Sequence, residues 1–215
     1  LKVLDKLSNL KKINLLTKEN NGLSSARNFG IKSIESDYIL PLDSDDLINP
    51  CYINKVMEAQ KNSKKAFYCT NWASFGNYTI FKNVSLPNAY NIRYSNYLPV
   101  TCFLNTSTCL KYKYDENMKY GCEDWDLWIR LICNNYKIFK YNFIGFYHRE
   151  HKKNMTHSTL KNLKIIKSYL KEKYPHLYTR SYDEIQKRLH PPKLIDFIKL
   201  NTSPYIRNKL IKIIQ

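Results

Sequence analysis

The sequence predicts an α/β fold in which helices flank a sheet. Short apolar runs typical of strands alternate with segments of helical periodicity between about residues 13 and 147. This alternation favours a largely parallel sheet, because parallel strands need a crossover, usually a helix, between them. The 215 residues are 43% hydrophobic, which excludes a disordered chain, and five glycines and eight prolines exclude a collagen-like or linker-like one.

The first half of the chain supplies the first strands and helices. Leu1–Leu10 has helical spacing, and Ile13–Leu16 is a strand candidate. Ser24 is placed to cap a helix whose apolar residues stand at 26, 29, 31 and 34. Tyr38–Leu42 is a short apolar run typical of a strand, and helical periodicity returns after Pro50.

The second half contains more strands and a long helical region. Strands are predicted at 66–73, 79–84, 137–141 and 144–147. Residues 85–110 are aromatic and irregular, whereas Glu123–Cys133 is an amphipathic helix. From Thr159 the pattern is helical and basic, with breaks near Pro175, Pro191 and Pro204. We therefore expect an α/β domain over 1–158 and a basic helical extension over 159–215.

The net charge of +17 is concentrated towards the C-terminus. Residues 151–215 contain 15 basic and 4 acidic residues, which is +11 of the +17. A basic chain can bind nucleic acid, an anionic membrane surface or a phosphorylated ligand. Because no nucleic-acid-binding motif is recognisable, we expect no nucleic-acid partner and favour an anionic membrane surface for the extension.

The apolar and cysteine patterns bear on where the protein works. No stretch approaches roughly eighteen apolar residues and no apolar leader opens the chain, so we expect no spanning helix. The six cysteines form no C-x-x-C pair and are expected to be reduced and mostly buried. These features predict a cytoplasmic protein, with peripheral association at the inner membrane face.

Three carboxylates within four residues follow the apolar run at 38–42. The segment Leu42-Asp43-Ser44-Asp45-Asp46 places them where ligands bind in open α/β sheets, beyond the end of a strand. A divalent cation would relieve their mutual repulsion, and oxygen ligands suit Mg²⁺ or Mn²⁺. The alternative is that Asp43 or Asp46 only caps the following helix.

Three further clusters each have a functional interpretation and an ordinary structural alternative. Glu123-Asp124 opens an aromatic helix and contains a candidate general base, or else two acids that favour a helix N-terminus. His148-Arg149-Glu150-His151 offers metal and phosphate ligands, or ordinary surface residues. The polar loop Asn20–Asn28 can present backbone N–H groups and an arginine to an anion, or is a capped helix start.

Taken in order, these segments resemble the family 2 glycosyltransferases, which are inverting enzymes of the GT-A fold. Asn21–Gly30 is similar to the family's N-x-G-x-x-x-A-R-N-x-G helix start, and Tyr38–Asp46 to its strand and DxD motif. Tyr114–Glu116 with Gly121–Arg130 resembles the FDE…ED-W-D-L-W-x-R block. Tyr147–Thr156 is similar to the YR-x-H…N-M-S/T ending.

The resemblance implies a GT-A-like (Rossmann-like) mixed sheet and a metal-assisted transfer. Asp43 and Asp45 would bind Mn²⁺ or Mg²⁺ on the diphosphate of a nucleotide sugar, with His148 or His151 as a third ligand. Asp124 would be the catalytic base that deprotonates the acceptor hydroxyl.

The resemblance also implies binding roles. Arg27, Asn28 and Arg149 would contact the donor, and Glu123 and Trp125 the acceptor. The acceptor would be a glycan or a lipid-linked molecule of cell-surface polysaccharide synthesis.

Two departures from the family pattern and two alternatives accompany the resemblance. The family's opening nucleotide-binding strands have no counterpart before Leu1, so we expect a fragment truncated at the N-terminus. The Q-x-x-R-W motif of processive synthases is absent. A haloacid-dehalogenase-like phosphatase, with Asp43 as nucleophile and Asp45 as acid/base, would need Thr where Leu47 stands. An inactive remnant or a basic binding module is the remaining alternative.

Overall fold

A computed structural model of the chain describes residues 13–60, 63, 65–151 and 159–189. In this part of the chain six strands form one sheet: β1 (Tyr38–Ile39), β2 (Leu47–Ile48), β3 (Ala66–Gly76), β4 (Phe81–Lys82), β5 (Phe103–Asn105) and β6 (Lys137–Glu150). Their order is β1-β5-β3-β6-β2, and β4 also pairs with β3.

The sheet is mixed, as the GT-A resemblance implies. β3 and β6 run parallel, whereas β1 with β5, β5 with β3, β4 with β3 and β2 with β6 are antiparallel. The expectation of a largely parallel sheet is therefore wrong. Alternation along the chain does not determine which strands become neighbours, and the short strands here pair in the antiparallel sense.

The central strand β3 extends the predicted strand 66–73 by three residues. Phe67 and Cys69 belong to one apolar cluster, while Ala66 and Tyr68 belong to the other, because successive side chains of a strand point to opposite faces. A strand buried on both faces has the near-continuous apolar sequence that β3 shows.

The neighbouring strand β6 joins the two strands predicted at 137–141 and 144–147. A shift in register places Thr70 opposite Tyr141 but Asn71 opposite Ile144. The extra residues at 142 and 143 are accommodated as an irregularity of the bulge type, so the strand continues instead of ending.

The helices of the α/β region are α1 (Leu23–Lys32), α2 (Tyr52–Ala59), α3 (Thr106–Tyr112) and α4 (Glu123–Cys133). The structure confirms the limits of α4 that its sequence periodicity predicts. Trp128 of α4 stacks on Phe67 of β3, with ring centroids 5.1 Å apart. The cap predicted for Ser24 is wrong. Gly22 is the N-cap of α1, with a φ of 88° that favours glycine, and Ser24 lies buried inside the helix.

Other predicted elements are shorter or are not formed. Residues 13–16 form no strand, and Ile13, Leu15 and Leu16 are exposed. The strand predicted at 79–84 is reduced to the two residues of β4. An apolar run becomes a strand only where a partner strand meets it. The predicted helix at 1–10 and the motif residues 154–156 lie outside the described residues.

The described part of the C-terminal extension is helical, as predicted. It comprises α5 (Leu163–Lys173), a 3₁₀ turn (Pro175–Tyr178) and α6 (Arg180–Leu189). Pro175 opens the 3₁₀ turn at the predicted break. Ile166, Leu170 and Leu177 are buried in the same apolar cluster as α4. These helices therefore complete the core on the α4 side.

Candidate active site

The four sequence motifs meet at one open cleft of about 810 Å³. α1, the turn after β1, the start of α4 and the end of β6 each contribute to its wall. The polar side chains at the cleft include Arg27, Asp43, Asp45, Asn96, Asp124 and His151. Residues far apart in sequence thus meet where ligands are expected in a sheet of this kind.

The acidic turn 43–46 is fastened to β6 by its last residue. The N–H of Asp46 donates to the carbonyl of Asp43 at 3.1 Å, which closes the turn. The buried Asp46 carboxylate accepts from the backbone N–H of Arg149 at 2.9 Å and lies 3.0 Å from Nδ1 of His148. This contact raises the pKa of His148. Asp46 is therefore a structural anchor, which the sequence did not distinguish from its acidic neighbours. The alternative that Asp43 or Asp46 caps the following helix is wrong, because the N-cap of α2 is Cys51.

The anchored turn leaves Asp45 at the cleft. Its Oδ2 lies 3.1 Å from Nε2 of His151, and both side chains are about two-fifths exposed, at 41% and 43%. Arg149 donates from Nε to the carbonyl of Asp45 at 2.9 Å and lies over the ring of Phe75. The predicted contact of Arg149 with a diphosphate stays a prediction, whereas its contact with the turn is structural.

Arg27 joins two acids across the cleft floor. Its Nη2 lies 2.6 Å from Asp43, and its Nη1 pairs with Glu123. Because these anions surround it, the pKa of Arg27 is raised despite burial, which acts in the opposite direction. Arg27 and Glu123 therefore bind each other in the structure, and their predicted contacts with the donor and the acceptor stay predictions. Asp43 is likewise paired with an arginine.

Two other predicted binding residues are buried. Asn28 donates to the carbonyl of Tyr114 and accepts from the N–H of the same residue, at 2.9 Å and 2.8 Å, so its amide joins α1 to the segment before α4. Trp125 is 1% exposed, and its indole N–H donates to the carbonyl of Ile92. In the structure Asn28 is a structural link and Trp125 belongs to the core, while their predicted contacts with the donor and the acceptor stay predictions.

Asp124 is presented to the cleft from the first turn of α4. The preceding residues, Gly121 and Cys122, have φ angles of 94° and 63°, and the left-handed conformation of Cys122 is uncommon for a residue with a side chain. Burial, and secondarily the charge of Glu123, raise the pKa of Asp124 to about 7. A carboxyl with this pKa can accept a proton near neutral pH.

Asn96 is a site residue that the sequence analysis missed. Its Nδ2 donates to both carboxylate oxygens of Asp124, at 3.2 Å and 3.1 Å. It lies in the irregular aromatic segment 85–110, where no motif or periodicity distinguishes one asparagine from another. No signal in this sequence could have found it.

Comparison with known proteins now places the chain in a family. Residues 1–120, more than half of the chain, match the family described as Glycosyl transferase family 2. The chain belongs to the family 2 glycosyltransferases. An uncharacterized glycosyltransferase of Methanocaldococcus jannaschii is 28% identical over 138 residues, which are 59% of this chain and 47% of that protein.

Solved structures of S. aureus TarS share the fold of this chain. TarS 1–349 superposes with a TM-score of 0.57 at 15% identity, covering 92% of this chain and 64% of that one. The same TarS segment with UDP-GlcNAc gives a TM-score of 0.58 at 15% identity, covering 92% and 66%. The predicted GT-A-like α/β fold is confirmed. The chain spans about half the length of the M. jannaschii relative and about two-thirds of the TarS segment.

The cleft has oxygen and nitrogen donor atoms of the kind that a divalent cation binds. Among the described residues no group of three His, Cys, Asp or Glu side chains is placed to hold a metal ion. Asp45 and His151 supply one oxygen and one nitrogen donor side by side. Mg²⁺ is commonly bound by one or two carboxylates together with substrate phosphates, and Mn²⁺ also prefers oxygen ligands. Asp43 and His148 are already paired with Arg27 and Asp46.

Arg27→Met should destabilise the protein strongly. The change leaves the 6%-exposed side chain of Glu123 as an unpaired charge, and breaking a buried pair in this way costs about 3–5 kcal/mol. Urea unfolding would measure the loss, with Arg188→Met on the exposed face of α6 as the control. In a Glu123→Gln background the same substitution should cost less. An equal cost in both backgrounds would contradict the ion-pair explanation.

Proposed function

We propose that this chain carries the catalytic cleft of an inverting glycosyltransferase that moves a sugar from a nucleotide-diphosphate sugar to an acceptor hydroxyl. The observation that carries the proposal is the placement of Asp124, with its raised pKa, in the same cleft as the Asp45–His151 pair. Structures of the TarS neighbour with UDP and with UDP-GlcNAc support a nucleotide-sugar donor.

Asp124 is the base in this proposal. Its carboxylate takes the proton of the acceptor hydroxyl while that oxygen bonds to the anomeric carbon of the donor. The bond from the anomeric carbon to the diphosphate oxygen breaks on the opposite side, and its electron pair leaves with the nucleoside diphosphate. A single displacement of this kind inverts the anomeric configuration. One carboxylate suffices, in contrast to the paired carboxylates of many glycoside hydrolases.

Asp45 and His151 are the proposed ligands of Mn²⁺ or Mg²⁺. The cation, when bound, supplies positive charge that stabilises the departing diphosphate. Asp46 serves this site indirectly, because its bonds to His148 and Arg149 hold the turn that carries Asp45. This assignment selects His151 from the two histidines that the sequence left open.

Incubation with a panel of nucleotide sugars, Mn²⁺ and candidate acceptors tests the function. We expect release of nucleoside diphosphate coupled to transfer, with NMR of the product showing the anomeric configuration opposite to that of the donor. Retained configuration would overturn the single displacement. Absence of both nucleotide-sugar binding and transfer would favour the inactive remnant or binding module instead. The family assignment leaves no support for the phosphatase alternative.

We further propose that the enzyme builds a cell-surface glycan on a glycan or lipid-linked acceptor while resting on an anionic membrane surface. No helix within the described ranges is long and apolar enough to cross a bilayer. Lys164, Lys167 and Lys171 are exposed on α5, where they can contact anionic headgroups.

Changing these three lysines to Glu should abolish binding to phosphatidylserine-containing vesicles in a flotation assay. The expected loss follows because each basic residue near the surface contributes about 1 kcal/mol. Lys82, Lys113 and Lys137, three exposed lysines of the α/β region that are changed together to Glu, serve as a charge-matched comparison. If the triple variant of α5 kept its binding to vesicles and lost a salt-sensitive binding to RNA, the membrane assignment would be contradicted.

A further inference from the structure

We propose that Asn96 is the positioning residue for Asp124, and that the C-terminal helices hold Asn96 in place through Arg93. The inference rests on the proposed function, in which Asp124 is the base. It assigns to the extension a part in the active site that is separate from any contact with a membrane.

The side-chain amide of Asn96 can bind Asp124 in one orientation only. Its Oδ1 accepts from the backbone N–H of Leu98 at 3.3 Å, so its Nδ2 must face the carboxylate. Nδ2 reaches both oxygens of Asp124, which resists rotation of the carboxylate about its last bond. The N–H of Trp125 holds Oδ1 of Asp124 at 2.8 Å, and the remaining lone pairs are left for a substrate hydroxyl.

Arg93 anchors the same segment three residues earlier. Its side chain is fully buried, and its guanidinium binds the carboxylate of Asp183 at 2.7 Å and the carbonyl of Leu177. The hydroxyl of Tyr178 donates to the backbone carbonyl of Arg93 at 2.9 Å. Four tyrosine rings surround the guanidinium with centroids between 4.9 and 5.8 Å away, those of Tyr90, Tyr94, Tyr178 and Tyr182. A cation among aromatic faces is a desolvated, directional contact.

The same extension also holds the helix that carries Asp124. Asp126, two residues along α4, is fully buried and accepts from the hydroxyl of Tyr174 at 2.6 Å and from Nζ of Lys173 at 2.7 Å. Its other oxygen accepts from Nε of Arg130 at 2.9 Å. Residues 173–183 therefore contact both the segment that carries Asn96, at Arg93, and the helix that carries Asp124, at Asp126.

The electrostatic consequence of the Asn96 contact has a definite sign. An N–H donor stabilises the ionised carboxylate, so removing it favours the protonated form of Asp124. Arg27 acts in the same direction, and Glu123 acts against it. The other titratable groups that face Asp124 are Cys102, Tyr114 and Cys122. None of these is altered by a substitution at Asn96.

Titration of the Asp124 carboxyl by carbon NMR, without substrate, tests the contact directly. In Asn96→Ala we expect the midpoint to rise by about one pH unit, the scale of a hydrogen bond to a charged group. Asn83→Ala, an exposed asparagine of the same region, should titrate like the parent protein. An unchanged midpoint in Asn96→Ala would overturn the proposal. Because no substrate is present, this result is independent of whether sugar transfer is found.

A double-variant cycle tests the connection to the extension. Arg93→Lys keeps the charge but loses the planar fork, and Tyr178→Phe removes only the bond to the Arg93 carbonyl. Each should shift the Asp124 midpoint in the parent protein but not in Asn96→Ala, because the route passes through Asn96. Shifts of the Asp124 midpoint that are equal in the two backgrounds would overturn the connection. The connection would also be overturned if neither Arg93→Lys nor Tyr178→Phe shifted the midpoint in the parent protein. With activity established, the acid limb of the kcat profile of Asn96→Ala should move upwards by the same amount.

Discussion

Asp124→Asn is expected to lower kcat by about 10³-fold, because general-base catalysis contributes about 10²- to 10⁴-fold. The amide keeps the shape of the side chain but cannot take the proton of the acceptor. Sugar transfer should be measured at saturating donor and acceptor, with thermal unfolding to confirm the fold. Asp37→Asn, an exposed acid remote from the cleft, is the matched control and should behave as the parent protein.

The pH dependence of the parent protein follows from the same group. Because the base must be ionised, and burial raises the pKa of Asp124 to about 7, activity should fall as the pH is lowered through that value. The Asp124→Asn variant should lose this limb along with its activity. A variant that keeps activity within about tenfold of the parent, with the same acid limb, would remove Asp124 as the base.

Asp45→Ala is expected to lower turnover by two to three orders of magnitude, since cation stabilisation of a leaving group supplies several kcal/mol, on the order of 10²–10³ in rate. The 41%-exposed side chain of Asp45 packs little, so unfolding in urea should be nearly unchanged. The same preparation should bind Mn²⁺ more weakly in an electron paramagnetic resonance titration. Full activity without added cation would contradict the proposed site.

The two histidines separate the metal ligand from the anchor of the turn. His151→Gln should raise the Mn²⁺ concentration for half-maximal rate by about tenfold or more, a change typical of weakened metal sites. His148→Gln should act chiefly on stability, because it loses the bond to the buried Asp46. His176→Gln, exposed on the 3₁₀ turn, is the control. The opposite order of effects on the Mn²⁺ requirement would assign His148 to the cation.

The sequence alone determined the elements whose signal is local. The limits of α4 follow from the spacing of Glu123–Cys133, and the buried character of β3 follows from its unbroken apolar run. The order of four motifs was enough to indicate the family. Strand neighbours did not follow, because two- and three-residue strands such as β1 and β5 carry almost no periodicity.

Only the tertiary structure decided which polar side chains pair with one another. Arg27 and Glu123 lie 96 positions apart in the sequence, so neither motif alone indicates that the two side chains form an ion pair. Asp46 and not Asp45 became the buried anchor, because the end of β6 brings a backbone N–H and His148 to it. Asn96 acquired its contact with Asp124 from a segment that has no regular pattern. Local periodicity reports burial, but a hydrogen bond or an ion pair depends on distances across the fold, and only folding brings those groups together.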